Sequence, residues 1–393
     1  MHISKQSSAT TNIHFWVPNI FESKGGIQVY LKDMLNVIQG SAFKEKIGNV
    51  HVTVLDKLDT SKPEHLFQSD NLSFRFFGKA PSSLQTINFT LGILIEAIRQ
   101  RPSLILCGHL NFAPVAHLLQ RFFGIPYWIL VYGVDAWNIT DPMKQRALRS
   151  ANRIISISDY TRERLVQEEG LNAIDIPLLP VTFDVNNFQI KQKPEYLYRR
   201  HRIEPEQPII LTVARLSKDD QYKGYDNVLM AMSSIRDKIP NVHYILVGKG
   251  DDRFRVEELV RNLELEDCVT LTGFVPDEEI VDYYNFCDVF VMPSKGEGFG
   301  IVYLEALACG KPTVGGNQDG AIDALCNGEL GILVNPDNVD EIAFHLIEIL
   351  QGHSAHQLIY QPENLRHRVD EIYGFKAFET TLIDLFKSFP SSL

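Results

Sequence analysis

The stretch that most constrains the fold of this chain lies at residues 293–312, PSKGEGFGIVYLEALACGKP. It follows the apolar, β-branched run DVFVM at residues 288–292, which predicts a buried parallel strand. Gly296, Gly298 and Gly300 then precede an apolar-periodic segment that predicts a helix. The pattern therefore predicts a strand, a glycine loop and a helix start.

Such a junction presents backbone N–H groups and the positive end of a helix dipole to a ligand above the sheet. A phosphate or a ring of sugar hydroxyls would suit it. Glu297 in the loop and Glu305 in the helix would add nothing to a bare phosphate site. Because carboxylates accept hydrogen bonds from hydroxyls, we expect a ligand that combines phosphate and sugar.

The two glutamates are separated by seven residues, and the segment around them has a specific set of small and apolar residues: Gly298, Phe299, Gly300, Ala306, Gly310 and Pro312. This pattern resembles the E-x7-E signature of the retaining family 4 glycosyltransferases of the GT-B fold. The resemblance covers both halves of the chain, strongly over residues 214–331 and weakly before residue 100. It implies an α/β protein with two Rossmann-like doubly wound domains facing a central cleft. From the motif alone, an ordinary strand-turn-helix with two solvated glutamates stays open.

The length of 393 residues predicts about two domains, and 45% hydrophobic with 22% charged residues is a globular composition. We expect residues 1–190 to form an N-terminal Rossmann-like acceptor-side domain, completed by a C-terminal helix at residues 375–393. Residues 200–374 would form a Rossmann-like nucleotide-sugar-binding domain. Prolines and basic residues across residues 177–205 predict the linker between them.

The net charge limits the classes of binding partner, and the cysteine content indicates the redox state of the cellular compartment. A net charge of −11 disfavours nucleic acid as a partner. Five scattered cysteines predict free thiols in a reducing compartment, and the opening ten residues lack an apolar leader segment. We expect a cytoplasmic protein. Peripheral contact with an inner membrane stays open through two basic groups, with solvated faces as the alternative: Arg99, Arg101 and Arg121, and Arg146, Arg149 and Arg153.

In the first half, β-rich runs alternate with helical patterns, so the residues that follow each strand are the candidates for ligand contact. Gly25 and Gly26 follow the first strand, and His109 follows a later one. A glycine pair alone favours a tight turn, whereas the resemblance implies a loop that acceptor and donor diphosphate approach. The resemblance also places His109 near the transferred sugar. Tyr132 and Asp135 are candidates for sugar-side or acceptor-side groups, with helix capping as the alternative.

In the second half, a buried strand at residues 208–214 precedes Arg215, Lys218 and Lys223. Several cations held close together in the loop after one strand indicate a site for an anion. The resemblance implies that Arg215 and Lys223 bind the donor diphosphate, while Lys218 is more simply a solvated loop residue. These cations would stabilise the negative charge that develops when the glycosyl–phosphate bond breaks. The sequence contains no D-x-D motif, so we expect no metal requirement.

The resemblance assigns the other donor contacts by position. Gly248 would line the phosphates, the backbone of Phe274 and Val275 would meet the nucleobase, and Glu305 would bind the ribose hydroxyls. The sugar would lie against Glu297 and the residues that follow it, Gly298, Phe299, Gly300, Ile301 and Val302. No cofactor is expected beyond the nucleotide sugar. We favour UDP-glucose, while Asp277 and Glu278 beside the Phe274 loop keep GDP-mannose open.

The reaction implied is transfer of a hexose, with retention, to a hydroxyl of a glycan or lipid-linked oligosaccharide, as in exopolysaccharide biosynthesis. No residue is a convincing covalent nucleophile, so a front-face displacement is expected. Two other classes stay open: an epimerase or phosphorylase on the same fold, and a catalytically silent sugar-nucleotide-binding protein. His353 and His356 are poor evidence for a metal site.

Overall fold

A computed structural model describes residues 10–23, 25–63 and 65–388. Packing divides the chain into two units. The first contains the chain up to Val181 and again from Phe378, and the second is Thr182–Ala377. Residues 1–9, on which the expectation about a leader rests, and residues 389–393 of the predicted last helix lie outside the described residues.

The first unit is built on a parallel sheet with the strand order β3-β2-β1-β4-β5-β6. Phe15 of the central strand pairs with Val54 on one side and with Leu106 on the other. The strands are β1 (Thr11–Val17), β2 (Val50–Asp56), β3 (Leu72–Phe76), β4 (Leu104–Cys107), β5 (Tyr127–Val131) and β6 (Arg153–Ser156).

Some helices of this unit begin where the sequence supplies a side-chain cap or a proline. Ser158 accepts a hydrogen bond from the backbone N–H of Thr161, 3.2 Å away, and so caps the helix that begins at Asp159. Asp141 caps the preceding helix in the same way, and Pro142 follows it. The helices are α1 (Gly26–Gln39), α2 (Ser41–Ile47), α3 (Gln85–Gln100), α4 (Ala113–Phe123), α5 (Pro142–Ser150) and α6 (Asp159–Glu169).

The second unit repeats this architecture with the strand order β12-β11-β10-β7-β8-β9. Its strands are β7 (Ile209–Val213), β8 (His243–Val247), β9 (Val269–Gly273), β10 (Val289–Met292), β11 (Thr313–Gly316) and β12 (Ile332–Val334). Its helices are α7 (Glu195–His201), α8 (Tyr225–Lys238), α9 (Arg253–Asn262), α10 (Asp277–Phe286), α11 (Ile301–Ala308), α12 (Ala321–Ala324), α13 (Val339–Leu350), α14 (Pro362–Tyr373) and the start of α15 (Phe375–Lys387). From Phe378 onward, α15 belongs to the first unit.

The strand order of each sheet reverses at its centre. In the first unit the reversal lies between β1 and β4, and in the second between β7 and β10. Loops that leave the carboxyl ends of the two central strands diverge there and open a crevice, which is where doubly wound sheets bind ligands. The predicted fold class, two Rossmann-like doubly wound domains, is confirmed.

The prediction of a linker across residues 177–205 is wrong for its last part. Residues 195–201 form α7, in which Leu197 is buried. Arg200 of this helix pairs with Glu279 of α10 at 2.6 Å. The helix is therefore part of the second unit, and the proline and charge pattern that suggested a linker marks its start at Pro194 instead.

The loops after β7 and β10 pack closely against each other at Gly224. Gly224 has a φ of +77°, and a Cβ at this position would overlap the carbonyl oxygen of Pro293. We expect Gly224→Ala to lower the free energy of unfolding by about 3 kcal/mol, the sum of left-handed strain and overpacking. Gly352→Ala is the control, since Gly352 has a φ of +74° with nothing within 4 Å of its Cβ position. Urea denaturation that gave both variants the same loss, of about 1 kcal/mol, would contradict this packing.

Candidate functional site

In the second unit, the candidate residues follow four neighbouring strands. Arg215 and Lys223 follow β7, Gly248 follows β8, Phe274 follows β9, and Glu297 follows β10. These strands are parallel and adjacent, in the order β10-β7-β8-β9. The structure therefore brings the loops that hold these residues to one edge of the sheet.

Lys223 and Glu297 form an ion pair across the reversal point of the sheet. The Nζ of Lys223 contacts the Oε1 of Glu297, and each side chain is only 14% exposed. The loops are also joined by the backbone, because the N–H of Lys295 donates to the carbonyl of Tyr222 at 3.0 Å. The pair thus presents an ammonium that can bind phosphate oxygens beside a carboxylate that can accept from hydroxyls.

Arg215 is held differently, by a buried carboxylate. Its Nε lies 3.0 Å from Oδ2 of Asp220, and its Nη2 donates to Oδ1 at 3.3 Å. Asp220 is buried, whereas the Arg215 side chain is 74% exposed. The guanidinium is therefore oriented from below and keeps its outer donors accessible to an anion.

Sequence reasoning missed Asp319, which organises the glycine loop from inside. Its Oδ2 accepts hydrogen bonds from the hydroxyl of Ser294 and the backbone N–H groups of Gly296 and Glu297, at 2.7–2.8 Å. Its Oδ1 accepts from the N–H of Ala321 at 2.9 Å. Burial raises the pKa of Asp319 to about 6. Its position just after the carboxyl end of β11 is the signal that could have identified it.

Glu305 lies on α11, eight residues beyond Glu297, and is partly buried. Its Oε2 accepts a hydrogen bond of 2.6 Å from the hydroxyl of Tyr284. Burial raises the pKa of Glu305 to about 7, so its protonated and ionised forms are both populated near neutral pH. Tyr284, also absent from the sequence prediction, fixes the orientation of this glutamate.

The residues between the two glutamates form the start of α11. Gly300 precedes the helix with a φ of +91°, and a Cβ there would press on the ring of Tyr303. The ring of Phe299 is buried and packs edge-on against Tyr373, with 5.3 Å between centroids. Phe299 and Gly298 can therefore contact a ligand only through their backbone groups. Ile301 and Val302 are half-buried in the first helical turn.

The loops after β8 and β9 lie at the outer side of this edge. The backbone of Gly248 approaches Ala214 so closely that a Cβ would overlap the carbonyl oxygen of that residue. The ring of Phe274 is exposed, and the Nζ of Lys249 lies 4.6 Å from its centroid. Val275 is half-buried beside it. Both residues are placed where the backbone could meet a flat ligand, and their contact with a nucleobase stays a prediction.

In the first unit, Gly25 and Gly26 lie at the start of α1, and His109 follows β4, on the two sides of the reversal point. Nothing lies within 4 Å of a Cβ built on Gly26. Burial, with smaller contributions from Lys144 and Lys57, lowers the pKa of His109 to about 4, so the ring is neutral at pH 7. Its Nδ1 accepts from the N–H of Asn111 at 3.1 Å, which leaves the ring proton on Nε2.

Tyr132 and Asp135 use their polar groups within the first unit. The hydroxyl of Tyr132 donates to the carbonyl of Gly108 at 3.1 Å, and its ring lies edge-on to Tyr30. Asp135 accepts from the N–H of Tyr132 at 2.9 Å, and burial raises its pKa to about 7. Neither contact is a side-chain cap of the short helix at residues 134–136, and a direct contact with substrate stays a prediction for both residues.

The two histidines at residues 353 and 356 form no metal site. His356 contacts the carbonyl oxygen of Gly328 at 2.8 Å through its Nε2. Across residues 10–23, 25–63 and 65–388, the structure has no group of three or more histidine, cysteine, aspartate or glutamate side chains arranged to hold a metal ion. In the same ranges, no helix has both the length and the apolarity to cross a bilayer.

Comparison with known proteins identifies the class of the second unit. Residues 196–365 match the family model described as glycosyl transferases group 1. Residues 196–365, which make up most of the second unit but less than half of the chain, are thus similar to the glycosyl transferases group 1. The chain is 31% identical over 202 residues to a GDP-mannose-dependent alpha-(1-6)-phosphatidylinositol monomannoside mannosyltransferase of Mycobacterium tuberculosis. The aligned region covers 49% of this chain and 51% of that protein. The chain thus spans about half the length of the curated relatives that it matches first.

Solved structures extend the similarity of fold to nearly the whole chain. Sucrose-phosphate synthase from Thermosynechococcus elongatus superposes with a TM-score of 0.76 at 22% identity, over 96% of this chain and 98% of that one. Anabaena HepE, solved in complex with UDP, gives a TM-score of 0.75 at 19% identity, over 97% and 100%. At these identities the likeness establishes the GT-B fold, and it assigns no substrate.

Asp319→Asn tests whether the buried carboxylate positions the glycine loop. An asparagine amide has only one oxygen, so it cannot accept from the N–H groups that now donate to both carboxylate oxygens, and at least one backbone donor loses its partner. We therefore expect the free energy of unfolding to fall by about 1–3 kcal/mol. Nucleotide affinity should fall with it, because Glu297 is no longer fixed. Ser294→Ala, which removes one donor and keeps the carboxylate, should have the smaller effect. Exposed Asp237 on α8 is the control, and an equal loss in Asp237→Asn would refute the positioning role.

Proposed function

We propose that this chain is a retaining, metal-independent glycosyltransferase that moves a hexose from a nucleotide sugar to a hydroxyl of a glycan or lipid-linked oligosaccharide, in exopolysaccharide biosynthesis. The observation that carries the proposal is the contact of Lys223 with Glu297 at the reversal point of the second sheet. An ammonium and a carboxylate in one place match a ligand in which phosphate and sugar hydroxyls are adjacent. A bare phosphate would be repelled by the Glu297 carboxylate, and a neutral sugar would make no use of the Lys223 ammonium.

The cations have a role in the reaction itself. When the bond between the anomeric carbon and the phosphate oxygen breaks, its electron pair stays on the leaving diphosphate. Lys223 and Arg215 then stabilise that charge without rearranging, because their carboxylate partners already fix them. The acceptor hydroxyl bonds to the anomeric carbon on the same face, and its proton passes to the departing phosphate oxygen. This step uses no covalent intermediate on Glu297, which accepts hydrogen bonds from sugar hydroxyls.

The first unit supplies the acceptor side in this proposal. Neutral His109, with its ring proton on Nε2, is a hydrogen-bond donor for a hydroxyl of the transferred sugar. Gly25 and Gly26 leave the start of α1 without side chains and so free its backbone N–H groups for a diphosphate or an acceptor.

UDP-glucose is the proposed donor. Anabaena HepE, which shares the fold, has been solved with UDP-glucose. GDP-mannose is the second candidate, and a specific observation favours it: the matching mycobacterial relative is named as GDP-mannose-dependent. The exposed loop at Phe274 and Val275 is the region where the two bases would be distinguished.

A thermal-shift screen of UDP-, GDP- and ADP-sugars identifies the donor. Ligand that binds only the folded state at about 100 times its Kd stabilises it by about 2.7 kcal/mol, so the melting temperature should rise clearly with UDP-glucose and little with ADP-glucose. A larger rise with GDP-mannose would assign the chain to the second candidate. If no sugar nucleotide raised the melting temperature, the proposed donor site would be refuted. Tight binding without transfer or hydrolysis would instead indicate a catalytically silent binding protein.

Substitution of the cations separates catalysis from binding. We expect Arg215→Ala and Lys223→Ala each to lower kcat by about 10²-fold or more, with a smaller effect on donor affinity, because the charge that they stabilise develops only during transfer. Lys218→Ala, in the same loop, is the matched control and should be near neutral. Turnover should also be the same with and without a chelator. Equal activity of Lys223→Ala and the unmodified chain would contradict the proposed mechanism.

A further inference from the structure

The sheet of the first unit changes from apolar to polar along the face that packs against α3. Phe89 and Ile93 of α3 belong to the same apolar core as Trp16 of β1. Side chains on one face of a strand recur at every second residue, so His14 and Asn12 lie on this face towards the start of β1. Both are polar, and the apolar core on this face therefore ends before the strand begins.

A cavity of about 510 Å³ lies where the polar side chains begin. The strand register assembles it, since Asn12 of β1 pairs with His51 of β2, and Thr53 of β2 pairs with Ser73 of β3. Binding sites for small molecules measure about 300–1,000 Å³ and are lined mostly by apolar groups. The lining of this cavity is polar instead, which favours a ligand that is polar over most of its surface. It includes Asn12, His51, Thr53, Ser73, Arg75 and Gln100.

The hydrogen bonds beside the cavity lead from β1 through Gln100 to one carboxylate. Burial lowers the pKa of His14, so its ring is neutral at pH 7. Its Nε2 lies 3.0 Å from Oε1 of Gln100, which can only accept, so Nε2 carries the ring proton and Nδ1 is an acceptor. Asn12 donates to the same oxygen through its Nδ2 at 3.2 Å. Gln100 in turn donates to Glu96 at 2.6 Å, and Glu96 pairs with Arg75 at 3.1 Å.

Two buried acceptors of this network have no hydrogen-bond partner among the described residues. They are Oδ1 of Asn12, which lines the cavity, and Nδ1 of His14, a residue with no exposed surface. A buried acceptor is unfavourable unless a donor reaches it. A carboxylate or phosphate ligand would add more acceptors, whereas a hydroxyl brings the hydrogen that is missing. Because the charges of Arg75 and Glu96 offset each other, the cavity is complementary to a neutral, hydroxyl-rich ligand.

We infer that this cavity is an accessory carbohydrate site, which binds a segment of a neutral glycan through its hydroxyl groups. It lies in the first half of the strands, whereas Gly25 and His109, the residues proposed to contact the substrates of transfer, follow the ends of strands. The side chain of Arg75 is 53% exposed, so the cavity is accessible beside β3. The site does not rest on the proposed function. If that function holds, a second contact to the same glycan would raise the overall affinity without any change at the transfer site.

Affinity electrophoresis of the full chain tests the accessory site. Each native gel contains one soluble polysaccharide at several concentrations: neutral dextran, mannan or hydroxyethyl cellulose, or anionic polygalacturonate. We expect at least one neutral polymer to retard the chain, and polygalacturonate to have no such effect. Asn12→Ala removes one of the free acceptors and should weaken binding by about fivefold. Ser73→Phe should abolish binding, because the added ring would occupy the cavity.

Matched controls make the same changes at exposed residues outside the cavity. Asn88→Ala on α3 and Ser83→Phe in the turn before it should bind as the unmodified chain does. Melting curves show that all variants fold, and an unchanged response to sugar nucleotides separates a failure of this site from a failure of the proposed donor site. The inference would be overturned by no retardation in any neutral polymer, by equal retardation in polygalacturonate, or by an equal loss in the controls. Binding that required removal of residues 1–9, which precede Thr10 of the lining, would overturn it as well.

Discussion

The contact between Lys223 and Glu297 depends on the order of strands in the second sheet. Consecutive strands β7, β8 and β9 extend in one direction, and β10 returns to the other side of β7. Only this reversal makes neighbours of two loops that are more than seventy residues apart in sequence. A half-buried ion pair of this kind would give little net stability, because desolvation of both groups offsets their attraction. Its position beside a glycine-rich loop therefore points to a role in the site and not in the stability of the fold.

Buried carboxylates hold the groups that are proposed to bind the ligand. Asp220 orients Arg215, and Asp319 fills the turn that carries Glu297. In the first unit, Asp59 accepts from the backbone N–H groups of Ile20 and Phe21 and so fixes the loop that leads to Gly25. In each case a buried acceptor satisfies donors that a loop would otherwise leave unpaired. The loops after the central strands are thus built as rigid supports, in spite of their glycine content.

The sequence could predict the strands, the glycine loops and the ends of the major helices, because hydrophobic period and capping residues are local signals. The strand predicted at residues 288–292 is β10 (Val289–Met292), and the strand predicted at residues 208–214 is β7 (Ile209–Val213). Local signals could not reveal Asp319, Asp220 or Tyr284, since the role of each is defined by a partner on another element. Nor could they show that the ring of Phe299 packs against Tyr373. The linker prediction failed at α7 because a proline can also precede the first turn of a short helix, and basic residues can also lie in its last turn.

The loops that handle charge and the loop that would meet the base differ in how firmly they are attached. Those after β7 and β10 are locked to each other, by the glycine contact at Gly224 and the hydrogen bond from Lys295 to Tyr222. The loop at Phe274 leaves its aromatic ring exposed beside the ammonium of Lys249, and its backbone is joined to the neighbouring loop by the hydrogen bond from the N–H of Gly248 to the carbonyl of Gly273. Under the proposed function, residues 274–278 could therefore be redesigned for another nucleobase while Arg215 and Lys223 keep their carboxylate partners. Substitutions at the same residues would also let natural homologues diverge in nucleotide preference.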